Sequence, residues 1–133
     1  MNEDLDRYLR EFAERAERAS LPVRRPGSNW VPLAPLARGS HVSLSVAARQ
    51  IQVNLNNEDD ADRSKLDRLH GDRAAIESEV GEGLTWEKKE GRKKTAVRAT
   101  LDTGYADDGW DSQHEWAIRM MTAFQRAFAD RLA

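Results

Sequence analysis

Val42-Ser43-Leu44-Ser45-Val46 and Ile51-Gln52-Val53-Asn54-Leu55 are the runs that decide the fold. In both, every second residue is aliphatic, and the residues between are serine, glutamine or asparagine. Successive side chains of a strand point to opposite faces, so this period of two describes strands buried on one face only. Parallel strands covered on both faces read as continuous apolar runs instead, so the pattern predicts an antiparallel sheet with Val42, Leu44, Val46, Ile51, Val53 and Leu55 toward the core. Residues 47–50 are short enough for a hairpin connection, although the usual Asn-Gly signal is missing.

A second hairpin is read from Leu84-Thr85-Trp86-Glu87-Lys88 and Thr95-Ala96-Val97-Arg98-Ala99-Thr100-Leu101, with the turn at 90–94 around Gly91. Helical periodicity occupies the rest. Residues 3–19 carry an apolar stripe of Leu5, Tyr8, Leu9, Phe12, Ala16 and Ala19, with acid-before-base pairs Glu3–Arg7, Asp6–Arg10, Glu11–Arg15 and Glu14–Arg18 at i,i+4 spacing. A helix-start region at 56–62 leads into a second helix ending near Val80, with Leu66, Leu69, Ile76 and Val80 inward. Gly71 weakens its middle by about 1 kcal/mol relative to alanine and marks a bend or break. Residues 102–109 read as a polar loop, after which the third helix begins, and Ser112 and Glu115 have the S-x-x-E spacing of a capping box. Trp116, Ala117, Met120, Met121, Phe124, Ala127, Phe128 and Leu132 share one face of it. In residues 28–40, Pro32 and Pro35 exclude a central strand and leave an edge strand or a loop over the core. The expectation is an α+β fold in one domain, 1–133. It has an antiparallel sheet of about four strands in two hairpins with three helices, in the order α-ββ-α-ββ-α.

The 133 residues are 33 % charged and 39 % hydrophobic, with a net charge of only −2. No global field therefore draws the chain to nucleic acid or anionic lipid. The chain has no cysteine, which excludes disulfides and thiolate metal sites. No apolar run reaches the roughly 20 residues of a membrane span, and the acidic, amphipathic start is not a signal peptide. A cytoplasmic location is expected.

Chemistry-bearing patterns are sparse. Lys88, Lys89, Arg92, Lys93, Lys94 and Arg98 concentrate positive charge in the second hairpin against Glu87 and Glu90. Such a hairpin can track phosphates while Trp86 stacks on a base; lysines at exposed strand ends also serve simply to block edge-to-edge aggregation. Glu87-Lys88-Lys89 has the E-x-K form of nuclease metal sites, but the preceding strands offer no aspartate to complete it. His41, His70 and His114 lack metal-ligand spacing, and Asp107, Asp108 and Asp111 are more simply helix-start acids. The acids of 57–62 lack a calcium loop's glycine and final glutamate. The four tryptophans are read as core residues, with a shared aromatic pocket as the sharper alternative. No metal and no cofactor is implied.

The run Ile76-Glu77-Ser78-Glu79-Val80-Gly81-Glu82-Gly83-Leu84-Thr85-Trp86-Glu87 resembles the I-E-x-x-x-G-x-x-L-x-W-E signature of an uncharacterised bacterial domain of unknown function. Trp110, Trp116, Phe124 and Phe128 are similar to the same family's closing pattern. That domain is found at the C-terminus of larger proteins, some with a restriction-endonuclease-like region upstream, a context this sequence does not include. The resemblance implies a bacterial, cytoplasmic protein linked to restriction or phage defence, and it transfers no catalytic residues. The functional expectation is a non-enzymatic partner-binding or accessory module, with a protein or nucleic acid as partner. The alternatives are a nucleic-acid-binding module using the hairpin 86–98, or a small metal-dependent nuclease relying on Glu87 and Lys89.

Phe124 sits at the centre of the last helix's apolar stripe. Its replacement by alanine is expected to cost about 3–5 kcal/mol, the scale for deleting a buried phenylalanine. Urea melts of Phe124→Ala against the parent measure it, and a loss below about 1 kcal/mol would make that helix peripheral.

Overall fold

The computed structural model describes residues 2–88 and 91–133. The elements run α1 (Glu3–Arg18), β1 (Trp30–Pro32), β2 (Ser40–Val46), β3 (Ile51–Asn57), α2 (Ser64–His70), α3 (Arg73–Val80), β4 (Thr85–Lys88), β5 (Thr95–Leu101) and α4 (Trp110–Leu132). The five strands form one sheet in the order β1-β2-β3-β5-β4, with every pairing antiparallel. None of the helices is long and apolar enough to cross a membrane.

β3 is the central strand. It pairs with β2 from Val46↔Ile51 to Ser40↔Asn57, and with β5 from Ile51↔Leu101 to Asn57↔Thr95. Residues directly opposite in such ladders share a face. Val42, Leu44, Val46, Ile51, Val53, Leu55, Val97 and Ala99 therefore lie together, and all are buried. α4 lies across β2 and β3 on this face, and its whole predicted stripe from Trp116 to Leu132 is buried. α1 packs on α4 and β1, α2 on β4 and β5, and α3 on α4.

The expected four strands and three helices become five strands and four helices among the described residues. Trp30–Pro32 is the extra strand. Pro32 is tolerated there because β1 is short and outermost in the sheet, and the Pro32 carbonyl accepts the Arg24 N–H. The helix expected up to Val80 breaks at Gly71, so that α2 turns Leu66 and Leu69 inward beside β4 and β5 while α3 packs Ile76 and Val80 on the α4 side. The capping box is also not formed. α4 starts earlier, from Gly109 in a left-handed conformation (φ 85°), and leaves Ser112 and Glu115 exposed. Of the α1 ion pairs, Arg7 instead contacts Asp4 and Glu11, at 3.8 and 3.6 Å, and Arg15 crosses to Asp111 on α4.

A buried polar chain clamps one end of the sheet. Lys65 Nζ donates to Ser40 Oγ (3.0 Å), which donates to Asn57 Oδ1 (2.8 Å). Asn57 Nδ2 donates to Thr95 Oγ1 (3.1 Å), whose hydroxyl donates to Asp60 Oδ2 at 2.6 Å. Asp60, only 2 % exposed, also accepts the backbone N–H groups of Lys65 (2.9 Å) and Leu66 (3.0 Å). One carboxylate thus satisfies orphan donors of the first turn of α2 and anchors the start of β5.

Asp60→Ala removes these acceptors while leaving their donors buried. It is expected to cost about 2–4 kcal/mol, from a lost helix cap and an unsatisfied hydroxyl together. Urea denaturation measures the loss, with Asp60→Asn intermediate because one amide oxygen remains to accept. A cost within experimental error of zero would mean that the carboxylate is replaceable by water.

Candidate functional site

Several basic groups of the hairpin are paired with acids among the described residues. Trp86 lies opposite Val97 on the core side of the sheet, half-buried. Its indole N–H points at Glu77 Oε2 (3.5 Å), and the His70 ring meets it edge-on at 5.3 Å. The ring is therefore packed between helices, not presented to a base. Lys88 approaches Asp67 at 3.9 Å, Lys94 pairs with Glu58 at 3.0 Å, and Arg98 pairs with Glu87 at 2.5 Å. Arg92 and Lys93 are exposed beside the turn and have no ion-pair partner among the described residues. Lys89 lies outside the described residues. The Leu84 N–H chiefly, then Arg73 and Trp86, hold the Glu77 carboxyl below its ordinary value.

Of the two nuclease candidates, Glu87 is described and Lys89 lies outside the described residues. Glu87 is engaged by Arg98. Among the described residues no three His, Asp or Glu side chains gather where a metal ion could be held. His114 is buried between α1 and α4, whereas Asp107 binds Arg49 and Asp111 binds Arg15. The Gly104 N–H first, and Arg49 second, hold Asp107 below the usual carboxylate range. The four tryptophans meet different neighbours. Trp110 packs edge-on against Tyr8, and Trp116 donates to Glu82. Trp30, at 40 % exposure, is the only large apolar side chain in the open among the described residues.

Trp30 borders the feature that does assemble. The helices cover one face of the sheet, and strand parity turns a different set of residues to the other. Rows run across it: Trp30, Ser45, Gln52, Thr100; then Pro32, Ser43, Asn54, Arg98, Thr85; then His41, Asn56, Ala96, Glu87. Hydroxyls and amides pair diagonally, with Asn54 Nδ2 donating to Ser45 Oγ at 3.1 Å and Asn56 Nδ2 to Ser43 Oγ at 2.8 Å. Gln52 reaches Thr100 only at 3.5 Å. Arg98 Nε is buried and has no hydrogen-bond partner.

The charge on this face is slight. Glu87 and Arg98 neutralise each other, and burial, opposed by Glu58, lowers the His41 pKa, which favours the neutral ring. The indole of Trp30 is seated over Gly27, where a Cβ would come within 1.9 Å of its Nε1. Trp30 also faces His41 with ring centroids 6.5 Å apart. Pro32, Ser43, Asn54 and Ala96 in the middle of this face are buried, so it presents the half-buried Ser45, Gln52 and Asn56, the exposed Thr85 and Thr100, and one aromatic anchor. The residue-by-residue reading passed over it because each of these side chains is only the polar half of an alternation. The available signal was the absence of Lys, Glu and Asp from the polar positions of β2 and β3.

A solved structure similar to this one is that of YbjN from E. coli, a proposed transcription regulator, at 16 % identity over 93 % of each chain with a TM-score of 0.47. No curated protein matches the chain in sequence. The profile of one family matches residues 6–132, nearly the whole chain including the Ile76–Glu87 signature and the α4 stripe, and on that match the protein belongs to the family described as Domain of unknown function (DUF4268).

Proposed function

We propose that this protein is a non-enzymatic binding module that recognises a protein partner through the open face of its sheet, with Trp30 as the anchor. The observation that supports this is the contrast in charge. One third of the chain is charged, 33 %, yet the polar side chains of β2 and β3 on this face are serine, amide and one histidine. Interface centres are depleted in charge, and tryptophan is prominent among residues that dominate binding energy. Serine and asparagine supply adaptable hydrogen bonds in recognition surfaces. The diagonal pairs are made within the face, and its half-buried groups, Ser45, Gln52 and Asn56, are the ones a partner would meet. The motif resemblance further supports a bacterial, cytoplasmic accessory role in a restriction or phage-defence system.

The test starts from a partner recovered from source cells and then purified. Trp30→Ala is expected to weaken its affinity at least tenfold, about 1.4 kcal/mol or more, with little change in the urea midpoint. Lysines at Gln52 and Thr100 should do the same by placing charge on the face. Unchanged affinity in both variants would reject this surface.

A second reading is favoured by Arg92 and Lys93, exposed beside the hairpin turn and without an ion-pair partner among the described residues. If they track phosphates, the parent binds short DNA weakly and with steep salt dependence, and Lys93→Glu with Lys94→Glu abolishes binding without unfolding. Equal binding by parent and double variant would place any nucleic-acid contact elsewhere.

A further inference from the structure

His114 is 1 % exposed at the interface of α1 and α4. The rings of Tyr8 and Phe12 flank it edge-on, with centroids 4.4 and 5.7 Å away. Neither Nδ1 nor Nε2 has a hydrogen-bond partner. This is rare, because most buried side-chain polar atoms find at least one partner. The neighbouring Tyr8 hydroxyl is already committed, donating to Gln113 Oε1 at 2.7 Å. The charged groups near the ring are Arg15 from α1 and Asp111 from α4, which pair with each other. The sheet face under α4 is aliphatic over Val42, Leu44 and Val53 and turns polar at its Ser40–Asn57 end. A proton arriving on His114 would make both ring nitrogens donors, and neither makes a hydrogen bond in the docked arrangement, the nearby Tyr8 carbonyl included.

We propose that His114 is an acid-sensitive latch whose protonation releases α1 from α4 while the sheet stays folded. Burial chiefly, then Arg15, lowers the His114 pKa from 6.5 to about 4, while Asp111 and the Tyr8 carbonyl, the latter outside hydrogen-bond geometry, pull the other way. The docked state thus holds a neutral ring, whereas the released ring regains its ordinary affinity for protons. Docking is at full strength above pH 6.5 and weakens as the pH falls toward 4. The loss approaches about 300-fold in the docking equilibrium and does not grow further below that range.

Release is local because α1 touches mainly α4 and β1, whereas the five strands are laddered to one another. Beyond its apolar stripe and the Tyr8–Gln113 bond, α1 is held by exposed contacts. These are Asn2 to the Tyr105 hydroxyl, Arg15 to Asp111, and Arg7 at 4.8 Å over the Trp110 ring. Undocking uncovers Leu9, Phe12 and Ala16 together with the α4 surface beneath them.

Amide hydrogen exchange of the intact chain at pH 7 and pH 5 tests the latch. After correction for intrinsic rates, α1 amides should exchange at least tenfold faster at pH 5, with β2, β3 and β5 amides unchanged. His114→Phe, which keeps a ring but carries no proton, should remove the acid response. Exchange in α1 that ignores pH, simultaneous loss of protection in the sheet, or persistence of the response in His114→Phe would each overturn the proposal. Should that variant not fold, an NMR titration of His114 in the parent decides. Ring protonation coincident with loss of α1 protection supports the latch, and a ring titrating near its ordinary value while α1 stays protected refutes it.

Discussion

The register of β3 is the constraint on which the molecule depends. Its seven residues are paired on both sides, with β2 and with β5, so its alternation is imposed on the middle of the sheet. A slip by one residue would carry Ile51, Val53 and Leu55 to the open face and Gln52 and Asn54 under α4. The aliphatic set resists this through burial, at about 1.5–3 kcal/mol for each large side chain. The polar chain through Ser40, Asn57, Thr95 and Asp60 resists it differently, since its hydrogen bonds close only when Asn57 lies opposite both Ser40 and Thr95.

The two ends of the structure treat buried polarity in opposite ways. Around Asp60 every donor meets an acceptor, and the network joins β2, β3, β5 and α2. A satisfied network of this kind rigidifies what it connects. At the α1–α4 contact the buried imidazole has no partner. The first arrangement holds the sheet in register. The second leaves one helix attached by packing and a few surface bonds, so its stability is separable from that of the sheet.

The function proposed for the open face follows from the same register. Parity gives the sheet a helix-covered side and a side without helices, and the composition of the polar positions of β2 and β3 makes the latter neutral within a strongly charged chain. Pairing does the rest. Glu87 reaches Arg98 because β4 lies next to β5, and Trp30 flanks the serine row because β1 lies next to β2. The same pairing separates Trp86 from Glu87, sending one under the helices and the other to the open face. A cluster continuous in sequence thereby becomes discontinuous in space.

Much of the fold was legible in sequence because burial leaves a period. The strands around Leu44, Val53 and Val97, and the helical stripe from Trp116 to Leu132, were each readable from a run of residues obeying one geometry. The break at Gly71 was signalled by a propensity, but whether it bent or divided the helix depended on which surfaces Leu66 and Ile76 had to meet. The loop ending at Gly109 marked the start of α4, but the Ser112 spacing suggested a capping box that does not form, because the left-handed Gly109 already precedes the helix.

What the sequence determined by itself was the class of fold, the apolar faces of the strands and helices, and the absence of cysteine chemistry. Tertiary structure alone decided that Asp60 is a buried clamp, that His114 is enclosed without a partner, and that Trp30 borders a neutral face. The reason is physical: local periodicity records which side of an element is buried. Hydrogen-bond partners, desolvation and the neutralisation of charge depend on residues far apart in the chain, and these meet only when the strands have paired.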